Sequence, residues 1–210
     1  KARSQLADLA GFVADHLDQA RIYHQQVQLA RRLEEFKARE AAGMMVRSAV
    51  KLVEKVSLAS VSVPTLQDDN SGALEILASY SSDERLKQLY DQQGAIDLHK
   101  GKSLISNYIN DQAIITDERL MKPLFIPDLT QHNLQKRALT ESMELRSLYV
   151  VPRFDKESRR IICLVNYYSR DLYRFSDFEM GLLQTHAEMV ERVISEVGGE
   201  HLEIRVLSEI

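Results

Sequence analysis

Cysteine is almost absent from this sequence. Cys163 is the only one, so an intrachain disulfide is excluded and no thiolate pair exists for a zinc site. A reducing, cytoplasmic setting is the matching expectation. Charge of one sign is also lacking. With 27 Lys and Arg against 31 Asp and Glu, the net charge is -4, without the basic face that a nucleic-acid binder normally shows. The doublets Arg31-Arg32 and Arg159-Arg160 are too short to alter that. No apolar run approaches the roughly 18–20 residues needed to span a membrane, and no signal-peptide pattern opens the chain. The first residue is not Met, from which a piece of a longer protein is expected.

Catalytic signatures are missing as well. There is no H-E-x-x-H, no G-x-S-x-G elbow and no Cys pair at metal spacing. Gly101-Lys102-Ser103 matches the end of a phosphate-binding loop, but the glycine that should open that loop falls at Ile96. The six histidines are scattered. His99 and His132 lie in one region, and surface positions are the simpler reading for both.

What is present is enough apolar content for a real core, 44% of residues. Residues 4 to about 41 contain no Pro and read as one long helix. Leu6, Leu9, Val13, Leu17, Ala20 and Val27 recur at spacings near three, four and seven. That is a narrow seam suited to a coiled coil or bundle. At 1.5 Å per residue such a helix is about 57 Å long. It is too long to be covered by a small domain, and a second copy is the simplest support. A break is expected at Gly43, then a second helix with Met45, Val50, Leu52, Val53 and Val56 on its apolar side.

The period then changes to two. In residues 58–66, Leu58, Ser60 and Ser62 alternate with Ala59, Val61 and Val63, which predicts a strand. Turn-forming residues 67–72 and a second strand complete a hairpin. Ser81 and Glu84 have capping-box spacing before a short helix that Gly94 ends. Another helix is expected over Lys102–Asn110 and a short strand over Ala113–Thr116. The mixed segment 117–144 reads as an irregular connection of the kind that often carries binding loops. The strongest strands follow, in 146–154 and 159–168, joined by a short turn. Their near-continuous apolar character places them mid-sheet with helices on both sides. Ser176 and Glu179 form a second capping box before a helix with Phe178, Leu182, Met189, Val193 and Val197 as its apolar face. Gly198-Gly199 should end it. The expected architecture is α+β: a central antiparallel sheet between helices, with a long N-terminal helix. Its parts would be a linker and dimerisation helix over 1–43, a sheet domain over 44–197, and the start of a further linker or domain over 198–210.

The order and spacing of these features resemble GAF domains, the regulatory modules of signalling proteins, with a PAS-like sheet-and-helix arrangement. The resemblance rests on Ser147 and Pro152 in one strand, and on Ile162, Leu164, Val165, Tyr167, Tyr168 and Ser169 in the next. Phe175, Ser176, Asp177, Leu182 and Leu183 continue it at the helix start. It extends over roughly residues 44–197, with Cys163 standing where the family usually has Gly. Leu6, Leu9, Ala10, Ala14, Ala20, Arg21 and Tyr23 resemble the terminal helix of a preceding GAF domain, which implies a tandem array. By this resemblance a small molecule such as a cyclic nucleotide would bind between the sheet and residues 94–144. Ser103, Asp128, Arg146, Tyr149, Val151, Asn166 and Tyr168 would line that pocket. Covalent bilin attachment is not expected, because no Cys lies on the pocket loops. The resemblance implies a non-enzymatic sensor that forms a homodimer through its helices and acts on an output domain outside this sequence. Two other readings remain open. One is a ligand-free structural coupler. The other is an enzyme of the free methionine sulfoxide reductase type, which shares the fold but relies on several cysteines.

Overall fold

The computed structural model describes residues 2–64, 73–97, 104–113, 122–131, 141–155 and 161–208. These fall into two compact units. One spans residues 38–196. The other joins the helical residues 2–37 and 197–208.

Helix α1 runs over Ala2–Leu52 without the expected break at Gly43. One glycine in a helix interior costs about 1 kcal/mol relative to alanine. Within the larger unit, Ala42, Val46 and Ala49 bury a stripe of α1 on both sides of Gly43, and this packing outweighs the glycine. The expected apolar side of this segment was partly misplaced, since Leu52 is exposed.

Strands β1 (Leu58–Pro64) and β2 (Ala73–Ser81) form the expected hairpin. Helix α2 (Glu84–Asp91) follows, and Gly94, at φ 69°, turns the chain after it. The cap of α2 is not the expected one. Asp83 is the N-cap and accepts from Leu86 N, whereas Ser81 ends β2 and donates its hydroxyl to Ser57 O. Strand β3 (Ile96–Asp97) and helix α3 (Leu104–Ala113) come next. The strand expected over Ala113–Thr116 begins inside α3, and its remainder lies outside the described residues. Strand β4 (Leu124–Ile126), a 3-10 turn (Leu129–Gln131), β5 (Ser147–Phe154) and β6 (Ile161–Ser169) lead to helix α4 (Asp177–Ser208).

Six strands form one sheet in the order β3-β2-β1-β6-β5-β4, with antiparallel neighbours throughout. β5 and β6 each have a partner on both edges, as their apolar runs predict; β1 and β2 are interior as well. Helices cover both faces. On one face Ala59, Val61, Tyr149, Val151, Val165 and Tyr167 pack against α1 and α4. On the other, Leu58, Leu74, Leu148, Val150, Leu164 and Tyr168 meet Leu86 and Tyr90 of α2 and Ile109 of α3.

Helix α4 opens on the expected capping box: Ser176 N donates to the Glu179 carboxylate at 2.8 Å, and Glu179 N to Ser176 Oγ at 3.3 Å. Its phase corrects the sequence reading. Leu183, His186, Ala187 and Val190 are buried, whereas Phe178 is 74% and Met189 45% exposed. The helix also continues through Gly198-Gly199 to Ser208, where residues 197–208 share a unit with 2–37. In the expected seam of α1, Leu17 and Ala20 are exposed and Val27 is half-buried. The side chains of Leu6, Leu9 and Val13 lie outside the described residues.

Candidate functional site

The pleat decides which residues can meet. Asn166 and Tyr168 of β6 point to the α2/α3 face, and their partners across the ladder are Val150 and Leu148. Tyr149 and Val151 pair with Tyr167 and Val165 and point to the α1/α4 face. The seven residues expected to line one pocket are therefore divided by the sheet. Tyr149 and Val151 are corrected to the opposite core, because successive strand residues alternate faces. Ser103 lies outside the described residues. Asp128 spends its carboxylate on the 3-10 turn, accepting from Thr130 N at 3.0 Å, Thr130 Oγ1 at 2.6 Å and Gln131 Nε2 at 2.9 Å. The Thr130 hydroxyl is the largest cause holding that carboxyl below its usual range, with a smaller contribution from Arg146. Arg146 anchors the strand entry through its backbone: its N–H donates to Ser169 O and its carbonyl accepts from Leu129 N.

Around Asn166 the structure keeps Tyr168 and brings in Ser60, Ser62 and Tyr90, which were not expected at the site. Asn166 Nδ2 donates to Ser60 Oγ at 3.2 Å, and Ser60 Oγ lies 2.6 Å from Tyr90 Oη. Tyr90 meets Tyr168 edge-on, with ring centroids 5.4 Å apart. Ser60, Ser62 and Asn166 are fully buried. Burial pushes the Tyr90 phenol up, and its bond with Ser60 opposes this. Two atoms of the cluster, Asn166 Oδ1 and Ser62 Oγ, are buried without a hydrogen-bond partner. A buried unsatisfied acceptor costs about 1–3 kcal/mol, and natural folds retain few of them. The register between β1 and β2 also shifts at Val61/Ser62, a local irregularity beside the unpaired hydroxyl. Ser60 and Ser62 were legible as the polar side of a strand. Burial of that side was not, because it depends on α2 and α3 covering it.

The opposite face has its own buried polar group. His186 of α4 has its Nε2 2.8 Å from Met45 O on α1. A carbonyl can only accept, so Nε2 carries the proton. The Tyr167 hydroxyl lies 2.8 Å from Nδ1 and 2.9 Å from Leu183 O. Burial lowers the His186 pKa from its usual 6.5, and the Met45 carbonyl partly opposes this. Gln184 Nε2 donates to Tyr149 Oη at 2.7 Å, and Arg153 of β5 pairs with Glu191. Cys163 is buried on this same face, and desolvation pushes its thiol up to about 12.

A separate open cleft of about 420 Å³ lies between the end of α1 and the start of α2. Lys51 and Arg170 face Glu54 and Asp83 there, and Arg170 pairs with Asp83 at 2.7 Å. It includes none of the residues expected to bind a ligand. Among the described residues no group of three His, Cys, Asp or Glu side chains is placed to hold a metal ion. No described helix is long and apolar enough to cross a membrane.

This arrangement of sheet and helices is the GAF fold. Known structures with the same architecture include the GAF domain of a phosphoenolpyruvate-protein phosphotransferase from Coxiella burnetii. It is 12% identical over 84% of this chain and 96% of that one, with a TM-score of 0.59. A domain of a protein described as a two-component sensor histidine kinase from Sinorhizobium meliloti is 15% identical over 78% and 94%, with a TM-score of 0.54. The type II free methionine-R-sulfoxide reductase of Thermoplasma acidophilum is 17% identical over 79% and 96%, with a TM-score of 0.55. At these identities the likeness is one of fold. No protein-family model matches the sequence, and no curated protein matches it significantly.

Proposed function

We propose that this chain is a regulatory domain of a cytosolic signalling protein. It takes up a small uncharged molecule on the α2/α3 face and passes the change to α1 and α4, which carry it to an output element as a homodimer. The observation that carries the ligand half is the buried cluster of Ser60, Ser62, Tyr90 and Asn166 with its two unpaired oxygens. A ligand N–H or O–H at Asn166 Oδ1 would satisfy the acceptor and so favour the state that binds it. Among the described residues no charged side chain hydrogen-bonds to Ser60, Tyr90 or Asn166, so an uncharged polar group suits the cluster better than an ion.

The reading as a regulator rather than an enzyme is supported by the sensor-kinase neighbour and by the state of Cys163. A buried thiol whose pKa is raised is a poor nucleophile, which disfavours the reductase chemistry found on the same fold. A second reading, a coupler without ligand, is favoured by the division of the expected pocket residues between two cores. Native mass spectrometry of the purified chain, with a metabolite thermal-shift panel, separates the two. A retained small molecule, or a stabilising shift lost in Asn166→Leu, supports the sensor. No retained mass and no shift across the panel supports the coupler.

A further inference from the structure

At one end of the sheet β2 and β6 finish and β1 begins, and the end of α1 and the start of α2 meet them there. The cleft between them, about 420 Å³, falls within the roughly 300–1,000 Å³ usual for small-molecule sites. It shares no residue with the cluster of Ser60, Ser62, Tyr90 and Asn166.

Its walls divide by chemistry. Val56 and Leu86 are 2% and 1% exposed and, with half-buried Val50, form an aliphatic side. The charged side holds both signs, Lys51 and Arg170 against Glu54 and Asp83. Arg170 Nη2 pairs with Asp83 at 2.7 Å, and Asp83 also accepts from Leu86 N. Lys51 and Glu54 are exposed, and among the described residues neither has an ion-pair partner. The charges next to these in sequence leave the balance unchanged. Lys55 pairs with Asp171 at 3.1 Å, and Glu84 and Arg85 are of opposite sign and do not line the cleft.

One donor in the wall is unsatisfied. While Nη2 of Arg170 holds Asp83, its Nε is buried without a hydrogen-bond partner. Natural folds retain few such groups, and a guanidinium offers its donors in pairs to a carboxylate. Two neighbouring hydroxyls are already committed. Ser57 Oγ accepts from Arg170 N at 3.2 Å, and Ser81 Oγ donates to Ser57 O and accepts from Asp83 N at 3.1 Å.

The balance of charge selects the ligand class. A lone anion would meet the carboxylates of Asp83 and Glu54, and a lone cation would meet Lys51 and Arg170, so like charges oppose either one. A ligand with both signs on a short frame meets each with its opposite, and an apolar body gains from burial against Val50, Val56 and Leu86. We propose that this cleft binds a small zwitterion with an apolar side chain, the chemistry of a free aliphatic amino acid, its carboxylate on Arg170 and Lys51 and its ammonium on Glu54. Occupancy would tie the end of α1 to the start of α2. The site stands independently of the ligand proposed at Asn166.

Calorimetric titration of the whole chain tests it with three probes of one shape. L-leucine carries both charges, isocaproate the carboxylate alone and isoamylamine the ammonium alone. The expected result is saturable L-leucine binding, with each single-charge probe at least tenfold weaker. Lys51→Gln and Glu54→Gln, both at exposed positions, should each weaken L-leucine at least fivefold with unchanged circular dichroism, whereas Asn166→Leu should leave its affinity as it is. Isocaproate or isoamylamine binding as tightly as L-leucine would overturn the zwitterion. L-leucine binding that Asn166→Leu abolishes and both cleft variants leave intact would overturn the cleft and move the ligand to the Asn166 cluster. No saturable binding of L-leucine at millimolar concentration would overturn the proposal outright and leave the reading at Asn166 standing.

Discussion

The two faces of this sheet are both closed by helices, yet they treat buried polar groups differently. Towards α1 and α4, the polar groups between the helices have neighbours at hydrogen-bond distance: His186 Nε2 donates to Met45 O, Tyr167 Oη lies between Leu183 O and His186 Nδ1, and Tyr149 accepts from Gln184, while Ser147 Oγ at the entry of β5 is buried without a partner. Towards α2 and α3, Ser60 and Tyr90 are paired, but Asn166 Oδ1 and Ser62 Oγ are not. A satisfied network in a low-dielectric core fixes one geometry, and a partly satisfied one leaves free energy for an added partner. In the function proposed above, the first face is the one that would transmit and the second the one that would receive.

The largest effect expected from breaking this comparison lies in the apolar packing of the α1/α4 face. Phe175, 2% exposed, touches the rings of Phe125, Tyr149 and Tyr173. Phe175→Ala should cost about 3–5 kcal/mol in a urea unfolding experiment. A loss below about 1 kcal/mol would mean that this core is not packed as described.

His186→Leu comes next, at about 1–3 kcal/mol, because it removes the side-chain link between α4 and the Met45 carbonyl of α1. It should also change the pH response. The folded pKa of His186 is lowered, so the unfolded chain binds more protons below about 6.5. Its stabilising contribution is complete above that pH and is lost as pH falls towards the folded value. Melting temperature followed from pH 7.5 to pH 5 should drop less in His186→Leu than in the wild type. Parallel curves would sink this assignment.

Ser176→Ala removes the side-chain half of a capping box and should cost about 1 kcal/mol by the same unfolding assay. Ser81→Ala is no control for it, because Ser81 is not the cap of α2.

The smallest effect sharpens the contrast most. Asn166→Leu replaces a buried amide whose oxygen has no partner, so stability should change by no more than about 1 kcal/mol, in either direction. Near-neutral loss of a buried polar group is the pattern of a site kept for binding rather than stability.

Local chemistry made much of the fold legible. The β-branched and aromatic runs at 147–154 and 161–169 became interior strands, and the Ser176/Glu179 spacing became a real cap. Where two answers were locally equivalent, the sequence could not choose. Helix α4 has apolar stripes at Phe178/Leu182/Met189/Val193 and at Leu183/Ala187/Val190, and a 3.6-residue period fits either. Both Ser81 and Asp83 have capping side chains, and β2 consumes the first. Gly43 marks a break only if nothing packs on either side of it. The site was harder to read. Tyr149, Val151, Asn166 and Tyr168 come from adjacent strands of matching composition, and only the register sends them to opposite faces. The alternation at 58–63 placed Ser60 and Ser62 on one side of a strand, but nothing local announces that α2 and α3 will cover that side.

The most direct measurement is a calorimetric titration, into the wild-type chain and Asn166→Leu in parallel, of the small molecule found by native mass spectrometry or thermal shift. The account predicts saturable binding to the wild type, at least tenfold weaker in Asn166→Leu, with both chains equally folded. Equal affinity in the two chains would place reception elsewhere and contradict the division of labour between the faces.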